Sequence, residues 1–171
     1  VDASCNFFLA GHTDAPLNGN SVTGLTDLFI SKFDSTGTSQ WTKLLGSFNQ
    51  VVNGNAATTD SQGNVYATGY TSGPLSDQSL IGNQDLYVVK YDANGNLIWT
   101  RISGVAINDT FGYSITVDSE DNVLVTGQTW GNLDGNTLIG STDGFLMKYD
   151  SAGTKLWTKT LGAAASTTYP A

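Results

Sequence analysis

The chain has 171 residues with a charged fraction of only 13%, twenty glycines and abundant Ser and Thr, which fits a strand-rich, turn-rich row of modules. Fifteen acidic against seven basic residues give a net charge of −8 and argue against DNA, RNA and anionic membranes, partners held by Lys and Arg neutralising phosphate. No apolar run is long enough to insert into a membrane, no signal peptide is expected beyond one already removed before Val1, and the lone Cys5 forms no intrachain disulfide.

In chain order, VDASCNFFLAGHT occupies residues 1–13, and the connection Asp14–Thr26 leads to DLFISKFDSTGTSQWTKLLG, from Asp27 to Gly46. The connection Ser47–Asn55 then precedes a short small-residue run, Ala56–Thr59, the turn Asp60-Ser61-Gln62-Gly63, and an alternating strand over Asn64–Thr71. Ser72–Gln84 connects to strands predicted at Leu86–Tyr91 and Leu97–Ile102, joined by Asp92-Ala93-Asn94-Gly95. Beyond Val105–Gly112 the third copy reads VDSEDNVLVTGQT from Val117, the connection Trp130–Thr142, DGFLMKYDSAGTKLWTKTLG from Asp143, and a last connection, Ala163–Ala171.

These stretches align without a gap at a period of 58 residues: Asp27, Asp85 and Asp143 correspond, as do Trp41, Trp99 and Trp157, and Gly11, Gly69 and Gly127. Each Asp-x-x-Gly suits a type I turn followed by a left-handed residue, and no helical periodicity appears. Each repeat therefore predicts four strands of one antiparallel sheet, in phases of about 1–58, 59–116 and 117–171. Such a sheet has two faces to bury, and radial stacking on copies of itself makes it a propeller blade. The fold class is all-β.

Asp85, Lys90, Tyr91, Asp92, Gly95, Trp99, Asp118, Asn122, Val123, Gly127 and Thr129 carry a pattern that resembles the SBBP repeat of bacterial seven-bladed β-propellers. The first copy departs from it with Cys5 in place of Gly63, Phe7 in place of Val65 and Ala10 in place of Thr68. The resemblance implies blades with the Ala56–Thr59 run innermost and the Trp-bearing strand outermost, in a secreted or cell-surface bacterial protein. In that register Val1 falls at the end of an innermost strand and Ala171 at the start of another.

Three blades are fewer than the roughly four to eight that close a ring. The expected function is a non-catalytic structural or assembly module whose blades join further copies, or further blades of a longer propeller, in a ring or a fibre. Two alternatives stay open. One is a ligand-binding module, for carbohydrate, on the long-loop face, where Trp130 breaks the repeat as a stacking platform and Asn132, Asp134 and Asn136 supply polar contacts. The other is a hydrolase with an unrecognised carboxylate pair.

Trp41, Trp99 and Trp157 are read as packing between blades, and Asp27, Asp85 and Asp143 as acceptors that fix turns. Asp34, Asp92 and Asp150 begin turns, and Asp92 to Asn96 resembles part of a calcium loop without its distant Glu, so no cofactor or metal is expected. His12 is read as a strand-surface residue, and no nucleophile, metalloprotease or phosphate-loop motif is present.

Overall fold

The structure, a computed structural model, describes residues 1–170; Ala171, expected at the start of an innermost strand, lies outside the described residues. Eleven strands form three antiparallel sheets. The first has β1 (Phe7–Thr13), β2 (Asp27–Phe33) and β3 (Ser39–Leu45). The second has β4 (Val52–Thr59), β5 (Val65–Thr71), β6 (Asp85–Tyr91) and β7 (Leu97–Ser103). The third has β8 (Thr110–Val117), β9 (Val123–Thr129), β10 (Asp143–Tyr149) and β11 (Lys155–Leu161).

Within each blade neighbouring strands are consecutive in sequence, as in a meander, and the 58-residue period carries over to register. Gly11, Gly69 and Gly127 stand opposite Phe29, Tyr87 and Phe145. A Cβ at Gly127 would approach Phe145 Cζ to 2.5 Å, so glycine there makes room for the ring. The turns behave as expected: Gly37, Gly63, Gly95 and Gly153 all have positive φ, and the amides of Gly63 and Gly95 bond back to Asp60 and Asp92.

Three features differ from the sequence reading. The first sheet has three strands among the described residues, not four. The innermost strand of the second blade begins at Val52, not Ala56, because the pairing of β4 with β5 skips a residue at Asn55 and then continues; β8 does the same at Tyr113. A bulge of this kind interrupts the alternation that marks a strand. Finally, a 3-10 turn occupies Leu133–Gly135.

The cores lie between blades. Leu28 and Ile30 of the first blade meet Val52, Val65, Ala67, Tyr87, Val89 and Tyr91 of the second. On its other face the second blade offers Tyr66, Leu86 and Val88 to Ile115, Val123, Val125, Phe145, Met147 and Tyr149 of the third. Strand alternation sends odd residues of β5 and β6 one way and even residues the other, so a blade between two neighbours is apolar on both faces. Isolated parallel bridges, Thr26 with Val51 and Gln84 with Asp109, tie each blade to the start of the next, and Thr142 with Thr167 repeats the tie.

Candidate functional site

The middle blade is the reference for what a covered blade looks like. Its Val65 and Ala67 are 0% exposed, whereas their equivalents Phe7 and Leu9 on the first blade are 48% and 55% exposed. On the opposite side of the molecule Ser103 of β7 is 4% exposed, while its equivalent Leu161 of β11 is 73% exposed. The two outward faces are thus the uncovered halves of an interface that the chain forms twice within itself. Large apolar side chains in contiguous exposed positions mark interaction surfaces.

Each internal junction also carries a polar grip at its outer rim. The Lys32 ammonium and the Trp41 indole N–H both donate to the Ala93 carbonyl in the next blade's turn, each at 3.2 Å. One repeat later Lys90 and Trp99 donate to the Ser151 carbonyl at 3.1 and 3.3 Å. Arg101 adds a 2.7 Å bond to the Gly153 carbonyl, and a Cβ on Gly153 would lie 3.0 Å from the Trp99 ring. At the first junction Lys43 takes the place of Arg101, its Cε lying 2.7 Å from a Cβ built on Gly95. Tyr149 joins the second junction through a 2.9 Å bond to the Ser103 hydroxyl, and burial pushes its phenol up to about 12. Lys90 belongs to the repeat pattern in the sequence, but its reach to the next blade does not show there; the signal is the constant position of these lysines nine residues before each Trp.

The four residues of the expected stacking platform sit on the loop after β9. The Trp130 ring meets the edge of Phe111, centroids 5.1 Å apart, and Phe111 in turn lies 4.4 Å from Tyr70. Asp134 accepts from Lys155 and from the Thr158 hydroxyl, both at 2.6 Å. It holds the position of Asn18, whose side-chain amide donates to the Thr42 hydroxyl, and of Ser76, whose hydroxyl pairs with that of Thr100, all three at positive φ. Asn136 bonds to the Leu133 carbonyl, as Asn20 does to Leu17, and Asn132 accepts from the Leu138 amide. Asp134 and Asn136 are therefore engaged in fastening this loop to β11, as Asn18 and Asn20 fasten the first blade's loop to β3 and Ser76 the second's to β7. Buried Leu133, just before Asp134, plugs the interblade core as Leu75 does one repeat earlier.

Asp27, Asp85 and Asp143 are completely buried, each accepting two backbone N–H groups from the preceding loop: Thr23 and Gly24, Ile81 and Gly82, Ile139 and Gly140. Burial pushes the Asp85 carboxyl up against those two donors, with Asp109 nearby adding to the rise. The turn carboxylates are instead depressed: Asp34 by the Thr36 hydroxyl foremost, Asp92 and Asp150 by the backbone N–H of Asn96 and Thr154. Asp92 spends its acceptor capacity on Asn94 and Asn96 within its own turn. Trp41 and Trp99 are half-buried at the junctions, Trp157 is exposed, and His12 is exposed on β1. No group of three or more His, Cys, Asp or Glu poised for a metal occurs among the described residues, and none of their helices is long and apolar enough to cross a membrane.

Comparison with known proteins agrees with this architecture. The SBBP family, described as a beta-propeller repeat, matches residues 40–76 and 98–134. An uncharacterized WD repeat-containing protein of Acanthamoeba polyphaga mimivirus is 30% identical over 182 residues, covering 82% of this chain and 13% of that protein. The regulatory protein FlaEY of Caulobacter vibrioides is 30% identical over 95 residues, which are 49% of this chain and 10% of its own length. The chain thus spans only a small part of the curated relatives it matches.

Proposed function

Since this chain is an array of SBBP beta-propeller repeats, we propose that it is a non-catalytic interaction and assembly module whose two outward blade faces each take a further blade. The observation that carries this reading is the exposure of Phe7, Leu9 and Leu161 at positions where the middle blade is covered. A blade of the same family fits such a face because the internal junctions already show the matching surface, apolar at the centre and closed at the rim by Lys and Trp. The reading carries with it an extracellular or cell-surface location, and partners that are β-propeller blades, in further copies or in continuation.

The test is to extend the chain in register, adding a copy of residues 56–113 after Ala171 so that a fourth blade can dock on the third. In an array stabilised by neighbour contacts the new interface adds to global stability. A gain of about 1 kcal/mol corresponds to a rise of about 2–4 °C in the unfolding midpoint for a chain of this size. An unchanged midpoint in a folded, extended chain would count against the reading.

A further inference from the structure

The two ends of the molecule are complementary at the level of individual atoms. On the third blade, Lys148, Trp157 and Lys159 occupy the positions of Lys90, Trp99 and Arg101, the side chains that grip the next blade's turn. Among the described residues they hold no turn: Trp157 is 37% exposed, Lys159 is exposed, and Lys148 turns back to Asp118 at 2.8 Å. In the two gripped junctions the corresponding lysines stand farther from their own Asp, 4.0 Å for Lys32 and Asp2 and 3.5 Å for Lys90 and Asp60, because the next blade's carbonyl draws them away. The Lys148 contact is accordingly the foremost cause holding the Asp118 carboxyl well below the usual range.

On the first blade the gripped element is present and free. The turn Asp34–Thr38 has the same bonds as its counterparts, Gly37 N–H to the Asp34 carbonyl and Asp34 N–H to the Thr38 carbonyl. Gly37 has φ +83°, matching +79° at Gly95 and +82° at Gly153. Where Gly95 lies under Trp41 and Gly153 under Trp99, nothing lies within 4 Å of a Cβ built on Gly37. Ser35, whose carbonyl stands where those of Ala93 and Ser151 stand, receives no donor among the described residues.

Resting on the docking reading above, we propose that a second copy of this chain is the partner, bound head to tail: Lys148 and the Trp157 indole of one copy donate to the Ser35 carbonyl of the next, Trp157 covers its Gly37, and Lys159 closes the rim. The contact continues the established interblade interface with one more repeat of the same donors and acceptor. It is heterologous, since the claw and the turn are different surfaces of one chain, so copies add in series until the rotation closes a ring, or as a fibre where it does not. Apolar burial of Phe7, Leu9 and Leu161 at the same junction supplies the affinity, and the claw sets the register.

The experiment is sedimentation of the 171-residue chain over a range of concentrations, with two variants checked for native circular dichroism. Trp157→Ala removes the claw's ring; Gly37→Asn fills the space beneath it while keeping a residue that accepts positive φ. The proposal expects wild type to associate progressively with concentration and each variant alone to weaken association at least tenfold. An equimolar mixture should recover a 1:1 complex that grows no further, because only one claw and one turn remain intact. Lys148→Met, which leaves the ring and the turn in place, is expected to weaken association to a smaller degree. If both variants associate as wild type does, the claw is overturned while blade docking stands. A wild type that stays monomeric overturns the second copy as partner; the extended chain then decides docking itself, an unchanged midpoint overturning that as well.

Discussion

Ile107 holds a φ of 59° on a loop between blades and is 84% exposed, so a β-branched side chain sits in left-handed backbone with no packing to compensate. Its equivalents are Asn49 and Ala165, both at φ 56°, and Asn is the residue type that tolerates this region. Ile107→Asn is expected to stabilise the chain by about 1 kcal/mol, read from urea unfolding. Gly104 presents the opposite situation. A Cβ there would overlap the Asp85 carboxylate, as it would at Gly46 against Asp27 and at Gly162 against Asp143. Gly104→Ala must therefore push a buried acceptor off the Ile81 and Gly82 amides and should cost at least about 2 kcal/mol in the same assay. The recurrence of Asp85 and Gly104 was legible in the sequence, but their mutual contact was not, because Asp85 opens β6 while Gly104 follows the end of β7, the strand paired with it.

At the scale of elements, the hairpin turns draw on the same chemistry six times. Asp2, Asp34, Asp60, Asp92, Asp118 and Asp150 each collect backbone and side-chain donors within their own turn, and each is depressed below the usual carboxylate range. For Asp2 and Asp60 burial opposes ionisation, and the donors, Asn6 and Asn64 foremost, outweigh it. A carboxylate depressed on folding contributes stability that is present above its unfolded value of about 3.9 and disappears as pH falls through the lower folded value. Asp85, raised by burial, acts in the opposite sense: ionised it costs stability, and protonation relieves that cost. With six groups against one, the thermal midpoint should fall steadily between about pH 4 and pH 2. A midpoint constant over that window would contradict the turn account. The turns and most strand positions were legible from Asp-x-x-Gly and from alternation. The first half of β4 was not, since the skip at Asn55 breaks the period of two that identifies a strand.

For the molecule as a whole, sequence similarity between repeats hides a difference between their environments. Val65, Phe7 and Val123 are equivalent in sequence, yet only Phe7 is exposed, because burial depends on whether a blade lies next to it. The same holds for the tryptophans: among the described residues Trp41 and Trp99 hold a neighbour's turn and Trp157 holds none. The three repeats could therefore be read from the sequence, and with them the expectation of uncovered ends. The rim grip could not, since it joins residues 52 or 61 positions apart through a backbone carbonyl that any residue type supplies.

The central claim, that the outward faces are made to take a blade, is tested most directly by amide hydrogen exchange on the chain extended with residues 56–113. The account predicts that β11, Lys155–Leu161, gains protection when the fourth blade is present while β1, Phe7–Thr13, at the far end, exchanges from its native state as before. Exchange in β11 that is the same with and without a folded fourth blade would contradict it.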